Sequence, residues 1–383
     1  MPTGYVWHQK YAWHDTGVQH MLGASGGARG PQHPLLHGES PDSKARLASV
    51  VEASGLIDHL VRLPVASATD EDVLRVHTPA HLARMRHESL QPKGGDAGDG
   101  SSPFGYGALE IALLSAGGAK AIVGAALEGR ITNGYALIRP PGHHAVAETG
   151  MGFCMFSNIG IAIRWARERF GIGRIAVVDW DVHHGNGTQA VFYNDPETLA
   201  ISLHQDSLYP FGSGLLDERG AGAGLGTTIN IPLPSGSGNG AYIAAIEQAV
   251  VPALRAFRPE LVIVASGFDG SFMDPFGRMM ITTIGYRTMT QRLMEAADEL
   301  CGGRLVMVHE GGYSSLYVPY CGVAVIETLA GVKTGIEMPW DDDWVRLPDQ
   351  AVTDRQAAVI ARAGGFAAEL AAISGVPVSQ TRP

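Results

Sequence analysis

The sequence predicts an α/β protein with a mostly parallel sheet covered by helices on both faces. Three observations predict it. From residue 135 onward, short β-branched apolar runs alternate with helix-length segments, the pattern of successive βαβ units. Runs such as IAVVD (175–179) are apolar at consecutive positions, as strands buried on both faces are. Polar clusters follow these runs directly, and loops at the carboxyl edge of a parallel sheet are where ligands bind.

Taken in order, residues 4–8 (GYVWH) read as a first strand. The segment 14–42 is rich in Gly, His, Pro and Ser and has no period, which marks a long functional loop. A helix follows over 43–53, with Asp42 or Ser43 as its cap. Thr69 opens a short helix with acids in its first turn. Thr78-Pro79 opens another, with Pro at the first helical position. The polar stretch KGGDAGDGSSPFG (93–105) is a second loop, in which Asp96 and Asp99 suit turn chemistry. A long helix of small residues covers 107–127. Further strands are expected at 135–139, 174–179, 199–204, 227–231, 261–266 and 304–309, and helices at 158–169, 240–257, 286–300, 316–329 and 354–373.

At 383 residues and 45% hydrophobic content the chain can bury a large core, and no linker divides it, so it reads as one domain over 1–383. Its 50 glycines are dispersed between apolar segments, which suits tight strand-to-helix loops. A formal charge of −10 argues against nucleic acid as partner. There is no unbroken apolar run of 18 or more residues and no basic-then-apolar leader, so neither a membrane span nor a secretory signal is expected. Three scattered cysteines without a C-x-x-C pair fit a cytoplasmic protein with reduced thiols.

The chemistry concentrates in four strand-end clusters. In DWDVHHGNGTQ, Asp181 and His183 are two apart and face one side in extended backbone. With Asp269 of SGFDGSFMDP they make three ligands for zinc, whose catalytic sites keep a fourth position for water. That water has its pKa lowered to about 7. RPPGHHA supplies two adjacent imidazoles, His143 and His144, as acid and base. HEGGY places Tyr313 on what reads as a flexible Gly311-Gly312 hinge, able to donate to an oxyanion. Together the parts describe metal-assisted amide hydrolysis.

These four motifs resemble the zinc-dependent histone deacetylase family, in particular class II members and bacterial histone deacetylase-like amidohydrolases. The resemblance runs from GYVWH through CGVAVIE. It implies a single-domain arginase/deacetylase fold, three layers around an eight-stranded, mostly parallel sheet. It implies Asp181, His183 and Asp269 as zinc ligands and His144 as general base and then acid, with His143 mainly electrostatic. Asp179 would accept from His143 and Asn186 from His144, an Asn there being class II-like. Tyr313 would polarise the acyl carbonyl. Gly152, Phe153 and Tyr209 resemble the walls of an acyl-lysine tunnel, with Tyr209 where many relatives have Phe, and Gly311 and Gly312 flank its floor. Asp99 matches the rim carboxylate that holds the substrate backbone. Potassium would lie near Asp179, Asp181, His183, Ser202 and Leu203, and a second monovalent ion near the carbonyls of Phe192, Asp195 and Thr198. The substrate implied is an acylated amine, and a homodimer or homotetramer is possible for such a chain.

Plainer readings stand beside these. Taken alone, Phe153 and Tyr209 read rather as core aromatics, Ser202 as a helix cap or strand hydroxyl, and Asp195, before Pro196, as a turn. His14, His20, His33 and His37 read as a solvated loop. Cys154 reads as a buried, inert thiol. GAGAGLG (220–226) lacks the Lys-Ser/Thr of a phosphate loop. A binuclear manganese ureohydrolase would need acids where Gly185 and Ser271 stand. A silent acyl-lysine binder would lack Tyr313. An acetylpolyamine deacetylase would carry Glu where Phe276 stands, which ranks acyl-lysine or related acylated amines first.

Overall fold

The computed structural model describes residues 2–19 and 35–373. His20 and His33 lie outside the described residues. One eight-stranded sheet organises the chain. Its strands are β1 (Thr3–Val6), β2 (Leu60–Arg62), β3 (Asn133–Ala136), β4 (Ile175–Asp179), β5 (Thr198–Gln205), β6 (Thr228–Leu233), β7 (Leu261–Ser266) and β8 (Leu305–His309). They lie in the order β6-β5-β4-β7-β8-β3-β1-β2, and every pairing is parallel.

Alternate residues of each central strand enter opposite layers, as a period of two requires. Ile175 and Val177 of β4, with Ile263 of β7 and Val306 of β8, pack on one face with the helices Ala108–Leu127 and Asn158–Phe170. Ala176, Val178, Val264 and Met307 pack on the other. That face carries α1 (Asp42–Ala53), a helical stretch over 239–257, and the helices Thr283–Cys301, Val318–Ala330 and Asp354–Ile373. The three-layer α/β architecture is therefore the one expected. The helix Ala108–Leu127 is long and apolar enough to cross a membrane by length and composition, at a mean hydropathy of 1.4, although Glu110 and Lys120 interrupt it. Two thirds of that window is buried inside the fold, which marks it as a core helix.

Differences from the sequence reading are local. The strand Leu60–Arg62 was not foreseen because it is a short edge strand exposing Val61 and Arg62, so it has no apolar run. The stretch 240–257 is not one regular helix. A π-turn over Ile246–Val250 separates Asn239–Ala245 from Val251–Phe257, just before Pro252, which has no N–H for a helical bond. Loop 93–105 contains a two-stranded hairpin pairing Gly95–Asp96 with Pro103–Phe104. Thr69 and Thr78 cap their helices as expected. Helix α1, however, follows Pro41 and has no side-chain cap. Ser43 instead donates its hydroxyl to the carbonyl of Gly312 at 2.8 Å.

The expectation of solvated histidines fails at His14 and His37, both of which are buried. They lie on a charged core that pins the amino-terminal segment to the end of β3. The Arg139 guanidinium donates to Glu39 Oε1 (2.9 Å) and to the carbonyls of Tyr11 (3.0 Å), His14 (2.6 Å) and Glu39 (2.8 Å). Lys44 Nζ lies 3.2 Å from Glu39 Oε1. Burial alone would raise the Glu39 carboxyl, but Arg139 and Lys44 hold it below the usual range. Removing one member of such a cluster strands its partners without water. Arg139→Ala is expected to cost about 3–5 kcal/mol of stability, read by urea denaturation. A loss under about 1 kcal/mol would show that the cluster is dispensable.

Candidate active site

The functional side chains stand where the parallel ladder ends. Strand β4 finishes at Asp179, and the chain then turns through Trp180 to His183 in bonds made by its own carboxylates. Asp179 Oδ1 accepts from the Asp181 N–H, and Asp181 Oδ1 from the His183 N–H, each at 3.0 Å. The loop after β7 brings Asp269, whose Oδ1 accepts from the Val182 N–H at 2.8 Å. The loop after β8 brings Gly311, whose N–H donates to Asp181 Oδ2 at 2.8 Å.

These contacts aim Asp181, His183 and Asp269 at one point, with one ligand atom from each within 4.8 Å of the others. His183 Nδ1 is 3.0 Å from Asp181 Oδ1 and 3.1 Å from Asp269 Oδ2. All three are buried. Burial and the charge of Asp181 push the Asp269 carboxyl up to about 8. Against its burial, the two carboxylates raise His183 to about 10. Two carboxylate oxygens and an imidazole nitrogen are the donor set of a borderline divalent metal, whose charge would offset the repulsion between the two acids.

The paired histidines lie beside this point, ring centroids 4.0 Å apart. His143 Nδ1 bonds Asp179 Oδ2 at 2.9 Å, and its Nε2 is 3.8 Å from Asp181 Oδ1. Burial opposes its charge, but Asp181 and Asp179 outweigh burial and hold the ring's pKa well above the imidazole range. His144 behaves oppositely. Burial, then the charges of His143 and His183, push it well below that range. Asn186 Oδ1 lies 2.7 Å from His144 Nδ1, while the Asn186 amide nitrogen faces the His144 carbonyl. So Nδ1 carries the proton and Nε2 is left as the acceptor. Two adjacent titratable groups are thus driven apart by their surroundings, which is how acid and base roles are separated.

A channel of about 210 Å³ leads from His144 and His183 to the surface. Its walls include Gly152, Phe153, Leu208, Tyr209, Phe211, Phe276 and Tyr313. Phe153 and Tyr209 are half-buried wall residues rather than core aromatics. The Phe276 and Tyr313 rings lie 4.8 Å apart. Gly152 has φ +53°, and a Cβ there would overlap the His144 ring. Burial and the charges of Asp269 and Asp181 hold the Tyr313 phenol well above its ordinary value, so it remains an O–H donor.

The expectation of a flexible Gly311-Gly312 hinge is corrected. Gly311 is tied to Asp181, and the Gly312 carbonyl accepts from Ser43 and Lys44. Its glycine is required by close approach, since a Cβ on Gly311 would overlap the Asp269 carboxylate. Asp99 stands at the rim on the 95–104 hairpin, bonded to Gly152 and Tyr209. Cys154 is buried and its thiol is pushed up by that burial.

The expected monovalent positions are more committed internally. Ser202 pairs with Asp179 in register, and its hydroxyl accepts from the Gly185 N–H and meets His204 Nδ1; Leu203 follows it, buried in β5. At the second position the Phe192 carbonyl accepts from the Asp195 N–H, the Asp195 carbonyl from Thr227, and the Asp195 carboxylate pairs with Arg164 and Arg167. Thr198 Oγ1 also accepts from Arg167.

Sequence reasoning missed Glu310, His37 and Lys44. Glu310 Oε2 accepts the N–H groups of Gly142 (2.6 Å) and His143 (3.0 Å) and so fixes the histidine pair. Its position inside HEGGY was the available signal. His37 packs edge-on against Phe153 at 4.9 Å, and Lys44 lies over the Tyr313 ring at 4.9 Å. Neither contact has a local sequence signature.

Comparison with known proteins agrees with this geometry. The family described as histone deacetylase domain matches residues 37–329. The chain is 43% identical over 356 residues to a histone deacetylase-like amidohydrolase of Pseudomonas aeruginosa, covering 92% of this chain and 93% of that protein. It is 38% identical over 334 residues to a probable deacetylase of Archaeoglobus fulgidus, covering 86% and 87%. It superposes on the crystal structure of the HDA15 HD domain with TM-score 0.82 at 29% identity, over 98% of this chain and 97% of the other. Gly311→Ala, by forcing the Asp269 and Asp181 carboxylates apart, is expected to lower divalent-metal content well below that of the parent protein, measured by elemental analysis after metal loading. Unchanged stoichiometry would show that the close approach is not needed.

Proposed function

Since the chain belongs to the histone deacetylase family, we propose that it is a zinc-dependent amidohydrolase that removes acetyl or other acyl groups from the ε-amine of lysine or a related amine, acting as a single catalytic domain. Deacetylase chemistry follows from the family. The metal, the residue roles and the substrate are the finer part of the reading. One observation carries them: three converging metal-ligand side chains, a neutral imidazole and a phenol meet at the inner end of a channel walled mainly by aromatic and aliphatic groups.

Asp181, His183 and Asp269 hold the zinc in this reading. Bound there, zinc supplies Lewis acidity and a water of lowered pKa. His144 Nε2 takes the proton as water adds to the acyl carbon, then returns it to the leaving amine. Asn186 keeps the tautomer that this requires. His143, kept cationic between Asp179 and Asp181, stabilises negative charge developing beside it. Tyr313 donates its hydroxyl to the acyl oxygen as that oxygen gains charge. The aromatic walls exclude water from the chain that carries the amide. Potassium at the β4–β5 edge belongs to the reading as a structural ion, supported by the resemblance and the polar atoms of Asp179 and Ser202. Cytoplasmic residence is supported by three free, buried cysteines.

The ureohydrolase alternative is disfavoured by space as well as by residue type, because a side chain on Gly185 would overlap Asp179. The acetylpolyamine alternative finds no acid at Phe276, whose ring packs on those of Phe153 and Tyr313.

The deciding experiment is kcat/KM of the zinc-loaded enzyme on acetyl-lysine peptide, longer-chain acyl-lysine peptide, acetylputrescine and acetylspermidine, each with a chelator control. Chelator-sensitive preference for peptides is expected. Preference for the polyamines would overturn the substrate assignment, and no hydrolysis would overturn the activity. Tyr313→Phe should keep its metal and lose about 2.7–4 kcal/mol of transition-state stabilisation, roughly 10²–10³ in kcat. Because His144 is lowered, it stays unprotonated below the ordinary imidazole range. The acid limb of kcat/KM should therefore have its midpoint below about pH 6.5, with metal content checked at each pH. A midpoint above that value would remove His144 as the base.

A further inference from the structure

Tyr313 is held through its backbone as well as its ring. The peptide unit joining Gly312 to Tyr313 is gripped at both ends. Its carbonyl accepts from Ser43 Oγ at 2.8 Å and from Lys44 Nζ at 3.2 Å. Its N–H donates to Asp274 Oδ2 at 2.7 Å. A trans peptide unit is planar, with its N–H and C=O on opposite sides. Partners on both sides therefore stop the plane from turning about the chain. The restraint matters here because Gly312, at φ +120°, has no Cβ to limit that rotation.

Asp274 also reaches beyond this one bond. Its Oδ2 accepts from the Ser314 N–H at 3.3 Å, and its Oδ1 accepts from the Phe276 N–H at 2.9 Å. The side chain is buried, and among the described residues its hydrogen bonds all come from backbone N–H groups. A buried carboxylate has to be matched by donors, and here the donors are the loops that shape the site. One carboxylate thus joins the loop after β7, which carries the Phe276 wall, to the loop after β8, which carries the phenol. The two rings so joined meet edge-on, at 82° with centroids 4.8 Å apart. Asp274 does not itself line the channel, so whatever it does for the substrate it does through Tyr313 and Phe276.

We propose that Asp274 is a positioning residue for the oxyanion donor: by holding the Gly312–Tyr313 peptide and the Phe276 N–H on one carboxylate, it sets where the Tyr313 hydroxyl is delivered. Without that carboxylate the ring keeps its neighbours, but the backbone from which it springs is free to turn. This inference rests on the amidohydrolase reading above.

The test compares zinc-loaded wild type, Asp274→Asn, Tyr313→Phe and the double variant on an acetyl-lysine peptide, with zinc content measured for each. Asparagine keeps the shape but turns an amide nitrogen toward an N–H that the carboxylate received. Losing a bond to an ionised group predicts a fall in kcat of about 10- to 100-fold, with KM within about twofold and zinc retained. In the Tyr313→Phe background the same substitution should cost nothing further, because the hydroxyl it serves is gone. An equal fall in both backgrounds, a change in KM alone, or an unchanged kcat would overturn the proposal. Ser43→Ala loosens the other end of the same peptide, and it decides the question if Asp274→Asn loses zinc or does not fold. It should lower kcat about fivefold in the wild-type background and leave it unchanged in Tyr313→Phe. No loss, or equal losses, would again overturn the proposal. A readout independent of turnover is the fluorine resonance of a ring-fluorinated tyrosine placed at position 313 of the zinc-loaded protein. One sharp line is expected from the otherwise wild-type chain, and a shifted or broadened line from Asp274→Asn or Ser43→Ala. If wild type hydrolyses no acyl amine, the amidohydrolase reading fails and this spectrum alone decides the positioning role. Identical lines would sink it.

Discussion

Two carboxylates buried within hydrogen-bonding reach of one imidazole set the conditions for the rest of this structure. Charge in a low-dielectric interior has to be matched by partners, because water is not there to do it. The matching comes from backbone as much as from side chains. Val182, His183 and Gly311 all give N–H groups to Asp181 or Asp269. Only the carboxyl edge of a parallel sheet brings three loops close enough for this. The layered core on either side of β4, β7 and β8 is what fixes those loops. The Asp181 charge reaches both His143 and Tyr313: together with Asp179 it outweighs burial and raises the imidazole, and it adds, with Asp269, to the burial that raises the phenol.

The sheet and the convergence of Asp181, His183 and Asp269 were largely legible in the sequence, for a common physical reason. A strand buried on both faces must be apolar throughout, so the polar residues that end it stand out. Asp181, His183 and Asp269 could be read in this way, and the structure does bring them together. What was not legible depends on contacts between distant segments. His14 and His37 look like a solvated loop because nothing near them in sequence announces Arg139. The edge strand Leu60–Arg62 has no apolar run because two of its three residues face water. Gly311-Gly312 was read by composition as flexible, whereas the structure shows glycine chosen for lack of bulk. Tyr209 and Asp99 were each legible alone, but their bond, across 110 residues, was not.

The channel and its floor are separate structures joined at few points. The floor is strand ends and short loops locked to the sheet. The walls include two longer segments, 95–104 and 206–219, held by carboxylates that turn inward on backbone N–H groups: Asp96, Asp99 and Glu218. Acids that look like surface charge in the sequence serve here as internal staples. A change of residue on the wall can therefore alter what enters the channel while the ligand cluster below keeps its geometry.

The buried cluster of Glu39, Lys44 and Arg139 has a bearing on how the molecule is made. The Arg139–Glu39 bond joins residues 100 apart, and the bond to Tyr11 spans 128. Contacts of such separation form only after the intervening chain has been ordered. The amino-terminal segment and α1 thus wait for a residue synthesised well after them. Ser43 and Lys44 grip the Gly312 carbonyl, which lies 269 and 268 residues beyond them. On a ribosome, the segment that packs on Phe153 and Tyr313 is translated well before the loops it rests against, so the channel stays unassembled until the loop carrying Gly312 has emerged.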